Sequence, residues 1–257
     1  MKTVLSFMLV ASLFLATAPA FSAAQDDTAV PPYITEAIND PAREADKADD
    51  ARRKMAAVMT FTQVEPGDKV AELVPGSGYW TRVFSAIVGP EGHVYTVWPN
   101  ETAKYSKESY AKWQELVKTP QYENVTLLQQ PAAELSVPEP VDLVFTSQNY
   151  HDYHDEFMGP VDMSAFNKKV FDALKPGGLY VIIDHVAPEG SGLSATDTLH
   201  RIDPAVVKKE VEAAGFEFDE ASDALSNPED THESNVFDDA IRGHTDQFIY
   251  RFRKPAD

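Results

Sequence analysis

Histidines and acids occur together at three places where an apolar segment ends. Asn149 precedes His151 by two residues, Asp184 comes directly before His185, and His200 lies in the connection to a later predicted helix. A histidine beside a carboxylate can take a proton from a hydroxyl or an amine, because its ordinary pKa is about 6.5. His151, Asp184, His185 and His200 are therefore the catalytic candidates.

The segment around His151 permits two other interpretations. Asn149 and Asp152 could cap a following helix while Tyr150 packs in the core. A metal site is the other alternative, because imidazole and carboxylate donors lie close together in the sequence at His151, Asp152, His154 and Asp155. No further ligand signature accompanies this spacing, and a metal is not predicted.

A glycine-containing turn follows the first predicted strand, at 69–74. Gly76 and Gly78 stand where the backbone must turn tightly and approach a ligand before a helix begins. A dinucleotide site would need a third glycine where Thr81 stands and an acid where Trp98 stands. The turn therefore favours a nucleotide-like ligand other than NAD or FAD.

These residues need a scaffold, and short apolar strands that alternate with amphipathic helices supply one. The alternation predicts an α/β fold: a Rossmann-like, doubly wound, mostly parallel seven-stranded sheet with helices on both faces. Ligands of such sheets bind beyond the carboxyl ends of the strands. His151, His185 and His200 should therefore converge beside the glycine turn. The predicted strands are 69–74, 93–97, 125–128, 141–146, 179–184, 217–221 and 247–253.

The first residues predict export. Lys2, an apolar run at 4–16 and small residues near Ala20 and Ala24 form a signal-peptide pattern over 1–24. The run is shorter than the roughly 20 residues that span a bilayer, so stable membrane insertion is not expected. We predict a periplasmic or secreted protein with an N-terminal arm and helix at 25–63 and one domain at 64–257.

Charge and cysteine content exclude several functions. The 257 residues carry a formal net charge of −19, and cysteine is absent. Nucleic acid is a poor partner for this charge, because its phosphates bind lysine and arginine. Disulfides and thiolate chemistry are likewise excluded.

Several segments, taken in order from about Val64 onward, resemble the class I methyltransferases. The resemblance is carried by an acid before a glycine turn, the turn into the second strand, the fourth strand and the turn before the fifth. These are 72–78, 89–95, 142–145 and 174–178. Details at 149–152, 184–185 and 199–203 resemble a group of predicted bacterial methyltransferases that often carry export signals.

The resemblance implies methyl transfer from S-adenosylmethionine to an unidentified small-molecule acceptor. The sequence departs from the family pattern at two positions. Val74 stands where the family usually has its first glycine, and Trp98 stands where an acid usually binds the ribose. A non-catalytic small-molecule-binding protein on the same fold is the main alternative, and a metal-assisted hydrolase is a third. The cofactor-binding residues implied are Glu72, Gly76, Ser77, Gly78, Tyr79, Trp98 and Asn149.

Overall fold

A seven-stranded sheet forms the centre of the protein in a computed structural model that describes residues 29–159 and 161–256. The strand order is β3-β2-β1-β4-β5-β7-β6, and β7 runs antiparallel to β5 and β6. This confirms the predicted doubly wound, mostly parallel sheet. The strands are β1 Lys69–Leu73, β2 His93–Pro99, β3 Val125–Gln130, β4 Val141–Ser147, β5 Leu174–His185, β6 Glu217–Ser222 and β7 Gln247–Arg253.

Helices cover both faces of the sheet, as the continuous burial along the central strands β1, β2 and β5 requires. They are α1 Pro32–Ile38, α2 Lys47–Asp50, α3 Met55–Thr62, α4 Tyr79–Val88, α5 Asn100–Tyr105, α6 Lys107–Leu116, α7 Met163–Ala173, α8 Thr196–Leu199 and α9 Pro204–Ala213. Within the described ranges, no helix has the length and apolarity needed to cross a membrane. The predicted signal peptide at 1–24 lies outside the described residues.

Each face of the sheet has its own apolar core. Phe145 of β4 packs with the buried side of α4, including Phe84, and with α3. Its neighbour Val144 points to the opposite face, where Phe166 of α7 and Val207 of α9 are buried. Successive strand residues thus alternate between two cores, and the carboxyl ends of the strands are fixed between them.

The predicted N-terminal arm is folded from Pro32 onward. Ile34 and Ala37 of α1 are buried in the core that also contains α4. Two ion pairs hold the following segment, Arg43 with Asp50 at 2.7 Å and Arg82 of α4 with Asp46 at 2.5 Å. Helix α1 could not be recognised from the weak hydrophobic periodicity of this segment, because the helix is held by contacts with residues far away in the sequence.

Two boundaries differ from the sequence prediction. The sequence pattern predicts one helix around 105–117, whereas the structure has two, α5 and α6, which meet at Ser106. The strand expected from Leu179 begins at Leu174, because Leu174 pairs with Val141 of β4. Residues 175–178 form an irregularity before Leu179 pairs with Leu143. Neither difference moves the carboxyl end of a strand away from the predicted site.

The segments after β1, β4 and β5 emerge at the same edge of the sheet, where strand order reverses between β1 and β4. A buried ion pair holds the long connection between β6 and β7 against this edge of the sheet. Arg201 and Asp230 lie 2.9 Å apart with side chains 0% and 2% exposed. Arg201 also donates to the carbonyl oxygens of Val186 and Ser234 at 3.0 and 2.9 Å.

This ion pair yields a stability prediction. Asp230→Ala should lower the free energy of unfolding by about 3–5 kcal/mol, because it leaves the Arg201 guanidinium buried without a counter-charge. Urea unfolding of both proteins measures the difference. Asp239→Ala, an exposed acid of the same connection, is the control and should change stability by no more than about 0.5 kcal/mol. Equal losses in the two variants would contradict the prediction.

Candidate functional site

The turn after β1 uses three residues in the left-handed backbone region. Val74, Gly76 and Gly78 have φ values of 52°, 55° and 79°. The conformation costs glycine little, but for a β-branched valine it is an outlier of a kind that clusters at functional sites. The Val74 amide donates to the carbonyl oxygen of Val97 at 2.9 Å and holds the turn against β2. Val74 thus adopts the backbone conformation that glycine favours.

Trp113 of α6 lies directly over this turn. Its indole N–H donates to the Gly76 carbonyl oxygen at 3.1 Å. A Cβ atom at Gly78 would lie 1.5 Å from Cζ2 of the Trp113 ring. Gly78 is therefore required both by its φ and by the close approach of the indole, and the space above it is filled by the chain itself.

Trp98 occupies the carboxyl end of β2, beside the turn. It is 1% exposed, and its indole N–H is buried without a hydrogen-bond acceptor among the described residues. The edge of the Tyr110 ring lies against it, with ring centroids 5.4 Å apart. A buried donor without an acceptor is costly, and this one can donate to a ligand oxygen.

Three other predicted cofactor residues lie around the start of α4. Glu72 is buried and accepts a hydrogen bond from the Thr81 hydroxyl. Ser77 is exposed. Tyr79 is 5% exposed and donates from its hydroxyl to Asp50 at 2.7 Å. Glu72 and Tyr79 therefore have partners within the protein, beneath the turn and towards the N-terminal helices respectively.

Asn149 connects the turn with the histidines. Its side-chain amide donates to the Ser147 carbonyl oxygen and lies 3.5 Å from that of Val74. The following residues form a short 3-10 turn, His151–His154, which has no side-chain cap. The capping alternative for Asn149 therefore fails. Tyr150 packs in the core as that interpretation expected, and its hydroxyl donates to Glu210 at 2.9 Å.

Asp184, at the end of β5, holds His151 in place. Its Oδ1 lies 2.8 Å from His151 Nδ1, and its Oδ2 accepts from the His151 backbone amide at 2.8 Å. Burial lowers the pKa of His151, but the carboxylates of Asp184 and Asp152 more than offset this and raise it above its usual range. Burial raises the pKa of Asp184, and His151 outweighs that effect and leaves it below its usual range. The pair is held as imidazolium and carboxylate.

The three predicted histidines come together. The rings of His185 and His200 have centroids 6.3 and 5.6 Å from that of His151. His185 Nδ1 is hydrogen bonded to the Thr245 hydroxyl at 2.7 Å. Burial, the largest effect, lowers the pKa of His185 to about 4, so the ring is neutral at physiological pH. One charged and one neutral imidazole thus lie side by side.

His200 is placed by strained backbone and by an aromatic neighbour. It follows α8 with a φ of 53°, and its amide donates to the Thr196 carbonyl oxygen at 3.0 Å. The ring of Phe237, a residue 58% exposed, lies edge-on to it with centroids 4.9 Å apart. Ligand atoms of His200, His151 and Asp152 lie within 4.8 Å of one another.

The remaining acids and histidines of the predicted segments are used differently. His154 pairs with Glu210 at 3.2 Å. Asp203 caps α9 by accepting from the Ala205 amide at 2.9 Å, as the sequence interpretation expected of an acid before a proline. Asp155 is 3% exposed, and neither of its carboxylate oxygens has a hydrogen-bond partner within the described part of the chain.

Sequence reasoning missed two residues of the site. Trp113 is not among the site residues predicted from the sequence, although it is the one buried side chain of helix α6, a pattern that could have drawn attention to it. Thr245 gave no signal, since it lies 60 residues from His185 and only the antiparallel pairing of β7 with β5 brings them together.

The buried acid in β1 gives a prediction about pH. Burial raises the pKa of Glu72 to about 8, while Thr81 and Arg82 partly oppose this. Between about pH 4.5 and 8, the Glu72 carboxyl is protonated in the folded protein but ionised in the unfolded chain. Its contribution to the free energy of unfolding is therefore full below about pH 4.5 and is lost as the pH rises towards 8. Glu72→Gln should remove this loss, which amounts to at most about 1.4 kcal/mol per pH unit.

Urea unfolding of wild type and Glu72→Gln across this pH range tests the prediction. The difference between them should grow with pH in favour of the variant. Glu91→Gln, at an exposed turn, is the control and should follow the wild type throughout. A pH-independent difference for Glu72→Gln would show that the carboxyl is ionised in the folded protein.

Comparison with known sequences points to one kind of enzyme over part of the chain. Residues 36–130 match the model of the protein-L-isoaspartate(D-aspartate) O-methyltransferase family. A protein-L-isoaspartate O-methyltransferase of Ignicoccus hospitalis is 37% identical over 78 residues, which is 30% of this chain and 34% of that protein. The chain thus spans about a third of the length of this curated relative. The matched range contains the glycine turn, Trp98 and Trp113, and it ends before β4.

Solved structures share the fold over most of the chain. An S-adenosylmethionine-dependent methyltransferase from Aquifex aeolicus is 18% identical, with 86% of this chain and 96% of that chain covered and a TM-score of 0.51. The [4+2]-cyclase SpnF is 17% identical, with 83% and 82% covered and a TM-score of 0.59. The strand order, the antiparallel β7 and these similarities together give this chain the Rossmann-like fold of the S-adenosylmethionine-dependent methyltransferases.

Proposed function

We propose that the protein transfers a methyl group from S-adenosylmethionine, bound on the glycine turn, to a small-molecule acceptor beside the histidines. The observation that carries this proposal is the position of Asn149. It lies 3.5 Å from the Val74 carbonyl oxygen of the turn and two residues before His151. A donor on the turn and an acceptor at the histidines would therefore be neighbours, as direct transfer requires.

The residues at the turn fit the cofactor. Gly76 and Gly78 allow its close approach, and the unpaired indole N–H of Trp98 can donate to a ribose hydroxyl where the family usually has an acid. Asn149 can contact the end of the cofactor nearest the acceptor. When bound, the cofactor supplies a methyl group on a sulfonium, which an acceptor lone pair can attack.

Trp113 must move for this binding to occur, because its ring fills the space above Gly78. Trp113 is the only buried residue of α6. Movement of α6 therefore disrupts little of the core. A segment of this kind can open and close over a ligand at small cost, as lids do in many enzymes.

The charges near the histidines favour a neutral or cationic acceptor. Asp152, Asp155 and Asp184 lie in this region, while Arg201, which lies close enough to His185 to lower its pKa, is already paired with Asp230. An isoaspartyl carboxylate would be repelled here. The family match at 36–130 also ends before these residues, so it supports the cofactor half and leaves the acceptor half open.

Binding of a small molecule without methyl transfer is the second candidate. The indole above Gly78 favours it, since a protein that never binds the cofactor has no need to keep that space open. A cyclase also occurs among proteins of this fold. Cofactor binding separates the two candidates.

We also propose that the chain is exported and loses its leader, as the pattern at 1–24 predicts. The mature protein should begin at or near Phe21 or Gln25, because small residues stand at the positions that precede each site. Mass spectrometry of the protein recovered from its native host measures this terminus. Recovery of intact Met1 in the cytoplasmic fraction would contradict export.

Tryptophan fluorescence tests cofactor binding. Titration with S-adenosylhomocysteine should change the emission of the wild type, because the ring of Trp113 leaves its buried position. Trp113→Phe should lose the part of that change that comes from Trp113, leaving the response of Trp98, while still binding the ligand by calorimetry. Trp80→Phe, which replaces a buried indole of the α4 core, is the control and should keep the change. Absence of calorimetric binding to the wild type would favour the second candidate.

Methyl transfer itself is measured with methyl-labelled S-adenosylmethionine and two acceptor sources. Label should appear in the low-molecular-mass fraction of a host extract, and not in an isoaspartyl peptide. Gly78→Ala should abolish transfer, because its Cβ would strain the backbone at a φ of 79° and stand in the space that the cofactor takes when Trp113 moves away. Gly67→Ala is the matched control, since Gly67 also has a positive φ, of 90°. A Cβ added at Gly67 would have no atom of the described residues within 4 Å, so this variant should keep activity. Label found mainly in the peptide would overturn the proposed acceptor class.

A further inference from the structure

Three side chains at the acceptor side form a group with the composition of a metal site. His151, Asp152 and His200 each offer one ligand atom, and these atoms lie within 4.8 Å of one another. His151 Nε2 is 3.2 Å from Asp152 Oδ1. Two imidazoles and one carboxylate are donors that divalent transition metals such as Zn²⁺ prefer, whereas Mg²⁺ and Ca²⁺ prefer oxygen alone.

Asp184 orients His151 for this role. Its carboxylate takes the Nδ1 side of the ring at 2.8 Å and the backbone amide at 2.8 Å. The ring therefore directs Nε2 towards Asp152. A carboxylate on the far nitrogen of a histidine is the usual arrangement behind a metal ligand, where it fixes the tautomer and the ring orientation.

His200 is held in place at an energetic cost. Its φ of 53° lies in the left-handed region, where the backbone of a residue other than glycine is strained. The next residue, Arg201, is anchored by Asp230, and Phe237 lies edge-on to the imidazole at 4.9 Å. The surrounding structure thus forces this ring into position, although no hydrogen bond that we observe explains why a histidine is needed there.

A separate observation in the same turn is a buried carboxyl group that lacks a hydrogen-bond partner among the described residues. Asp155 is 3% exposed, and its two carboxylate oxygens have no hydrogen-bond partner among residues 29–159 and 161–256. Its backbone amide donates to the Asp152 carbonyl oxygen at 3.0 Å, so both acids belong to one turn. A buried carboxylate without a partner is costly, and a nearby cation would offset that cost.

We propose that His151, Asp152 and His200 bind a divalent transition-metal ion, with Asp184 positioning His151. The ion takes the place of the Nε2 proton of the His151 imidazolium, and this proton is released to solvent on binding. Three protein ligands leave a coordination position open for water or a small molecule, as catalytic rather than structural zinc sites do. This site differs from the metal site considered from the sequence. Both contain His151 and Asp152, but His200 is the third ligand here, in place of His154 and Asp155. Metal binding does not depend on methyl transfer, so either proposal can fail alone.

Calorimetry on tag-free protein, stripped with EDTA and titrated with ZnCl₂, tests the site. The wild type should bind one equivalent, and Co²⁺ should give the visible absorption of a low-symmetry site with nitrogen ligands. His200→Gly removes one ligand and relieves the left-handed backbone, so it should fold at least as stably in EDTA while binding Zn²⁺ about 100-fold more weakly. Asp184→Asn should weaken binding about 10-fold while one equivalent is still bound.

His232→Ala is the matched control. His232 also pairs with an acid, Asp246, at 2.9 Å, but it is not part of the three-residue group. This variant should bind Zn²⁺ like the wild type, and added Zn²⁺ should raise the melting temperature of both but not that of His200→Gly. No stoichiometric binding by the wild type, or equal affinity in His200→Gly, would overturn the proposal.

Discussion

The arrangement of the site depends on one buried carboxylate, that of Asp184. It accepts hydrogen bonds from the backbone amides of His151 and His185 and contacts the His151 ring, each at 2.8 Å. These contacts join the segment after β4 to the end of β5, where the strands alone would leave them independent. An uncompensated charge at this depth would be very unfavourable, so the turn that carries His151 is held closely to β5.

Much of the scaffold could be predicted from the sequence, because it follows from local patterns. Alternating strands and helices determine a parallel sheet, and parallel strands bring His151 and His185 to the edge that also carries Gly76. The positions that were missed depend on contacts between distant residues. Trp113 reaches Gly78 over 35 positions, and Asp230 reaches Arg201 over 29, distances at which periodicity carries no information.

The partners of Glu72 and Tyr79 are a further case. Both residues stand where the family resemblance places cofactor contacts, and both are engaged by the protein in this structure, Glu72 by Thr81 and Tyr79 by Asp50. A sequence motif specifies which residue stands near a ligand site, but the rotamer and partner are decided by packing. The family match also covers only one half of the site, since it includes the turn and ends before the histidines.

The left-handed backbone at His200 has a consequence for sequence variation. At a φ of 53°, glycine and asparagine are the residues that the main chain tolerates best. Drift without selection for the imidazole would therefore favour these two residues over the histidine. Among homologous chains, histidine at this position would record continued use of the imidazole, and glycine or asparagine would mark lineages that have lost it. Because of the backbone conformation of His200, the residue found at this position in homologous chains would indicate whether they still use the imidazole.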